Sequence, residues 1–150
     1  MKKLLIHLAF ILVVSGLGAA IGLMNIPGEW FASLNKPAFN PPGWLFGPVW
    51  TVLYVMIAIA GARTAIAAPG STAMRFWIIQ MVLNFLWSPA FFGLQSPALG
   101  LVVILPLLAA IIAFIVSSWK ADRVAALLFV PYLAWVGFAT LLNASIWALN

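Results

Sequence analysis

The chain has 150 residues, of which 66% are hydrophobic and 6% charged. Seven lysines and arginines against two acids give a formal charge of +5 and cannot clothe a water-soluble domain of this size, so a soluble fold is excluded and a helical membrane protein is indicated. Cysteine is absent, which excludes a disulfide framework, thiolate metal sites and a thiol nucleophile. The basic residues lie singly between apolar runs rather than on one face, so nucleic acid is not an expected partner and they read as topology signals in a lipid bilayer.

Lys2 and Lys3 precede an apolar run, 4–24, broken only by His7, Ser15 and glycines. Two lysines, an apolar core and Gly18-Ala19-Ala20 also suit a signal peptide. A run of 21 residues, however, exceeds the usual signal core and crosses about 30 Å of hydrocarbon, which favours a first transmembrane helix. Gly18 and Gly22 form a GxxxG pair, read as close packing within one bundle in preference to dimerisation.

Residues 25–43 form an outer loop, because Pro27, Pro37, Pro41 and Pro42 prevent a continuous helix and leave room for one short turn from Glu29 to Leu34. The second span covers 44–66, with Pro48 in its first turn, where a missing N–H matters least. After a connector holding Pro69-Gly70, the remaining spans cover 74–94, 97–118 and 122–147. The expected fold is therefore all-α, a single domain of five transmembrane helices. Pro89, Pro106 and Pro131 fall inside spans and are expected to kink them.

Five spans put Lys2, Lys3, Arg63, Arg75, Lys120 and Arg123 on one side and only Lys36 on the other. The positive-inside rule then places the N-terminus in the cytoplasm, and the aromatic loop and the C-terminus outside.

Eight tryptophans do not by themselves make a site, since tryptophan gathers at membrane interfaces. Trp30, Trp44, Trp77, Trp119 and Trp147 fall near span ends and suit that role, whereas Trp50, Trp87 and Trp135 lie deeper. At about 1.5 Å per residue, Trp50 and Trp87 both sit roughly 9 Å below the outer ends, with Asn84 and Ala139 a little deeper. Helical spacing puts Phe46, Trp50 and Tyr54 on one face; Trp77, Gln80, Asn84, Trp87 and Phe91 on a second; and Tyr132, Trp135, Ala139 and Leu142 on a third, with Phe138 beside it. An amide in hydrocarbon is costly without a partner, so Gln80 and Asn84 act either as structural glue or as polar contacts in a pocket. Flat apolar walls, few polar groups and a small Ala139 suit a planar aromatic ligand.

Three stretches carry a wider likeness: WFASLNKPAFNPPGWLFGPVWTVLY from Trp30 to Tyr54, LNFLWSPAFFG from Leu83 to Gly93, and PYLAWVGFATLLN from Pro131 to Asn143. In these, and over essentially its whole length, the chain resembles the tryptophan-rich sensory protein family, TspO. Animal members of that family are called translocator protein or peripheral-type benzodiazepine receptor. The resemblance implies a five-helix bundle, often a homodimer, in a bacterial cell membrane. It implies binding of protoporphyrin IX, haem-related tetrapyrroles and ligands of the isoquinoline carboxamide and benzodiazepine type, with no cofactor required. Carried over residue by residue, the ligand site would comprise Trp30, Phe46, Trp50, Tyr54, Asn84, Trp87, Trp135, Phe138, Ala139 and Leu142, with the loop from Lys36 to Pro42 as its lid. The cholesterol motif of animal members needs a tyrosine followed closely by a base; here the corresponding end reads ATLLNASIWALN, and sterol binding through it is not expected.

Conventional catalysis finds little support. Glu29 and Asp122 fall on opposite sides, no Ser/His/acid constellation is spaced for reaction, and His7 lies far from the pocket, so no metal site is expected. The one enzymatic route, implied by the resemblance, is light- and oxygen-dependent porphyrin breakdown using Trp50 and Trp135. No acid lies mid-membrane, which argues against ion-coupled pumping and leaves a tetrapyrrole sensor or carrier as the leading expectation, with a structural or regulatory membrane subunit as the remaining alternative.

Overall fold

A computed structural model describes all residues, 1–150. Its helices are α1 (Lys2–Met24), α2 (Glu29–Ser33), α3 (Phe46–Ala67), α4 (Thr72–Ser88), α5 (Pro97–Ser118), α6 (Arg123–Leu128) and α7 (Val130–Leu149). A 3-10 turn at Gly43–Leu45 leads into α3, and a π turn at Pro89–Gly93 extends α4. Five helical segments are long and apolar enough to cross a bilayer: Lys2–Met24, Gly43–Ala67, Thr72–Gly93, Pro97–Ser118 and Arg123–Leu149. The protein is an all-α, multi-pass membrane bundle, as its composition requires.

Three helices, α4, α5 and α6, start where a side chain caps them. Ser71 Oγ accepts from Met74 N–H at 3.2 Å and starts α4 at Thr72, ahead of the expected 74. Ser96 Oγ accepts from Leu99 N–H at 3.2 Å, with Pro97 at the first helical position of α5. The prolines act differently from one another. At Pro89 the helix widens, with Leu94 N–H donating to Pro89 C=O at 2.8 Å and Ser96 N–H to Phe91 C=O at 3.1 Å. Pro131 follows the break at Phe129 that separates α6 from α7. α5, by contrast, runs through Pro106 as one helix.

Around the bundle α1 packs on α3, the α6–α7 span follows, then α5, then α4, which closes back against α1 and α3. The most extensive packing joins α5 to α4, and α5 also packs closely on α7. Gly100 permits it, since a Cβ there would meet Asn143 Oδ1 at 2.5 Å and Phe91 Cδ2 at 2.8 Å. Gly18, the first member of the GxxxG pair, serves the same purpose inside the bundle: a Cβ would overlap the Tyr54 ring, while Gly22 faces open space. α3 and α7 touch one another only sparsely.

At the basic end, Arg63 at the foot of α3 donates to both carboxylate oxygens of Asp122, from Nε at 2.9 Å and from Nη2 at 3.0 Å. Asp122 also caps α6 by accepting from Ala125 N–H at 3.1 Å. The Arg63 hydrogen bonds hold the Asp122 carboxyl below its ordinary range. This contribution is complete above about pH 4 and is lost as pH falls through the depressed native value. With the Arg63 side chain 38% exposed, water screening keeps the pair below about 1 kcal/mol. Arg63→Gln is therefore expected to lower the thermal midpoint in detergent slightly at neutral pH and to flatten its decline between about pH 5 and pH 3. Parallel acid declines in wild type and variant would count against this assignment.

Candidate functional site

A continuous polar chain crosses the centre of the bundle. Tyr54 Oη on α3 donates to Asn84 Oδ1 on α4 at 3.0 Å, and Asn84 Nδ2 donates to Tyr132 Oη on α7 at 2.6 Å. Tyr132 Oη donates in turn to Gln80 Oε1 at 2.8 Å, and Gln80 Nε2 to the Trp77 carbonyl at 2.9 Å. Trp77 Nε1 completes the run by donating to the Ile57 carbonyl at 2.9 Å. Gln80, Asn84 and Tyr132 are buried, so the chain meets the demand that hydrocarbon places on polar groups and pins three helices in register. Both amides act here as glue between helices, and they form the floor of what lies above.

Over that floor, nearer the loop, aromatic rings converge from separate segments. Trp135 meets Phe46 at 5.7 Å edge-on and Phe138 at 5.7 Å, and Phe39 from the loop lies over Phe138 at 6.1 Å. Trp50 lies 5.3 Å from Tyr54 and 6.3 Å from Tyr132, directly on the polar chain. Trp50, Trp135, Phe46 and Phe138 are all half-buried. Ala139 packs against the same core as Trp50, Tyr54 and Trp135.

The other expected residues gather round a second, smaller cluster. Trp30 from α2 meets Phe91 at 5.8 Å, and Trp87 stacks on Phe91 at 5.2 Å with an interplanar angle of 25°. Leu142 and Ile146 are buried against them, and Phe46 and Phe138 pack on this cluster too, joining it to the first. Trp87 Nε1 donates to Asn143 Oδ1 at 3.2 Å, and Asn143 Nδ2 donates to the Pro97 carbonyl at 2.8 Å. Phe91 lies inward as helical spacing foretells, and the π turn at Pro89 brings Phe92 into the cluster beside it, which that spacing does not. Gln80, one turn from Asn84 on α4, and two residues of α7, Tyr132 and Asn143, are the polar contributors that the expected ligand set leaves out. Tyr132 and Asn143 share the inward stripe of α7 with Trp135 and Ala139, as Gln80 shares that of α4 with Asn84 and Trp87, and those stripes are the available signal.

The loop is tied down at its middle. Asn35 N–H donates to Asn150 Oδ1 at 2.9 Å, and Asn150 Nδ2 donates back to the Asn35 carbonyl at 2.9 Å and to the Ile146 carbonyl at 2.7 Å. Lys36 Nζ donates to the Ala32 and Leu34 carbonyls and lies 4.7 Å from the centre of the Phe31 ring, beside the smaller cluster. Beside the layer, between α3 and α7, runs an apolar groove of about 590 Å³ lined by Pro48, Val49, Val52, Leu53, Met56, Pro131, Ala134 and Trp135. Of the expected site residues, only Trp135 lines it.

The layer is built of indole and phenyl faces packed on one another. Within the layer the polar groups are largely spoken for by one another. A sequence profile of the TspO/MBR family matches residues 8–148. The chain is 40% identical over 153 residues to the tryptophan-rich protein TspO of Archaeoglobus fulgidus, covering 99% of this chain and 97% of that protein. It is 37% identical over 139 residues to the tryptophan-rich sensory protein of Cereibacter sphaeroides, covering 93% and 88%. To the human translocator protein it is 34% identical over 142 residues, covering 89% and 84%. With a match along nearly its whole length and relatives well above 30% identity, the chain belongs to the TspO/MBR family.

Proposed function

We propose that the chain binds a flat tetrapyrrole such as protoporphyrin IX in the aromatic layer beneath the loop, and serves the membrane as a sensor or carrier of that ligand. The observation that supports this most is the convergence of Phe46, Trp135, Phe138 and Phe39, from two helices and the loop, over a floor whose amides are already bonded. Such walls reward contact with a large π surface and offer few hydrogen bonds, which favours a porphyrin over a sugar, an ion or a peptide. The names of the relatives, a sensory protein and a translocator, agree with a binding role in a membrane. Isoquinoline carboxamides and benzodiazepines, aromatic and largely apolar, suit the same walls and are useful competitors.

The test is the shift of the porphyrin Soret band on titrating purified protein into protoporphyrin IX in darkness, against empty detergent micelles. A saturable shift that a competitor of the isoquinoline carboxamide type reverses is expected. A change linear in protein and reproduced by micelles alone would overturn the reading.

A further inference from the structure

Resting on the ligand reading above, we infer that the planar ligand reaches the aromatic layer sideways from the bilayer, through the groove between α3 and α7, rather than past the loop. Trp135 carries the argument. It lines the groove, while its ring also packs on Phe46 and Phe138 within the layer, so one side chain is the wall between lipid and site.

The surroundings of that wall differ sharply from those of the loop. α3 packs mainly on α1 and, toward the basic end, on α6, and α7 packs mainly on α5, so beside the groove α3 and α7 touch one another directly at few places, among them Phe46 on Trp135 and Trp50 on Tyr132. Parting α3 from α7 at the groove lifts Trp135 from Phe46, and the Tyr54–Asn84–Tyr132 chain, which joins the two helices only by way of α4, bounds the opening below. On the loop side, passage means breaking the reciprocal Asn35–Asn150 bonds and lifting Phe39 from Phe138.

The groove also specifies what can use it. Val49, Val52 and Met56 face Pro131, Ala134 and Trp135, with no charged group among them, so an ionised carboxylate pays its full desolvation cost there. The traveller is a planar molecule with an apolar leading edge, any carboxylates trailing at the bilayer surface. Its source is the hydrocarbon phase in which such a ligand already partitions.

Bulk placed in the groove tests this. Ala134 and Val52 are both exposed on the outer face of their helices, so tryptophan at either position fills the groove from opposite sides without entering the core. Wild type, Ala134→Trp, Val52→Trp and Asn150→Ala are reconstituted in phosphatidylcholine vesicles. Protoporphyrin IX is supplied from donor vesicles in darkness, and tryptophan quenching is followed by stopped flow. Blocking a path slows arrival and departure alike, so both tryptophan variants are expected to lower association and dissociation rates by a common factor of about ten or more, with Kd unchanged. Asn150→Ala is expected to leave both rates as they are.

Wild-type rates in both tryptophan variants, with faster exchange in Asn150→Ala, would overturn the inference and make the loop the door. A weaker Kd in the tryptophan variants without slowed dissociation would also overturn it, since the groove would then be a resting place and no route. Saturable binding in wild type separates these results from failure of the ligand reading, in which quenching is nonsaturable in every variant and both proposals fall together.

Discussion

Tyr132→Phe is expected to lower the thermal midpoint of the detergent-solubilised protein although it removes a single oxygen. The ring is fully buried and keeps its contacts with Phe129 at 5.3 Å and Trp50 at 6.3 Å, so little packing is lost. What disappears is the hydroxyl that accepts from Asn84 and donates to Gln80. Gln80 Oε1 then has no donor, and one Asn84 N–H has no acceptor, in an interior without water to replace them. An orphaned buried polar group costs about 1–3 kcal/mol in soluble proteins. Hydrogen bonds between membrane helices average nearer 0.6 kcal/mol, because the unfolded state in lipid also finds partners. A net loss of about 1–3 kcal/mol for the two groups follows. Tyr54→Phe removes one donor from a half-buried ring and is expected to cost less. Equal midpoints for wild type and Tyr132→Phe would show that the polar chain does not hold the helices together.

The second large effect is on ligand affinity. Trp135→Ala removes the ring shared by Phe46, Phe138 and the groove, and is expected to weaken protoporphyrin IX binding by about thirtyfold or more, the range for truncating a central aromatic anchor. Trp135→Phe keeps part of the flat surface and is expected to fall between. Trp119→Phe serves as the control: Trp119 lies at the basic end, 5.0 Å from the Arg123 guanidinium, away from the layer. Absorbance titrations at equilibrium give the three values, and a Trp119→Phe loss equal to that of Trp135→Ala would place binding elsewhere.

Much of this architecture is legible in the sequence because lipid imposes it. A run such as that of α1 is apolar on all sides, and its helix length follows from bilayer thickness, so the spans emerge without knowledge of their neighbours. Inward stripes are legible for the same reason: Tyr54, Asn84 and Trp135 share faces by helical spacing alone. How those faces rotate against one another is not. Trp50 and Trp87 share a depth by residue count, yet Trp87 stacks on Phe91 while Trp50 lies against Tyr54 and Tyr132, and spacing within one span does not decide that. Pro89 announces a disturbance in the third span, but the π turn that sets Phe92 beside Trp87 and Phe91 depends on which carbonyls find donors. The Asn35–Asn150 pairing joins residues 115 apart and has no local signal at all. Gly18 is the opposite case, where a GxxxG pair suggests close approach and the Tyr54 ring supplies it.

The central claim is that the aromatic layer under the loop is a binding site rather than packing alone. Its most direct test is a tryptophan-fluorescence titration of purified protein with protoporphyrin IX in darkness, corrected for inner-filter absorption, on wild type, Trp50→Phe and Trp135→Phe. Saturable quenching in wild type, shifted to higher porphyrin concentration in both variants, is the predicted result. Linear quenching, identical in all three proteins, would mean that porphyrin merely partitions into the micelle and that the rings serve the fold alone.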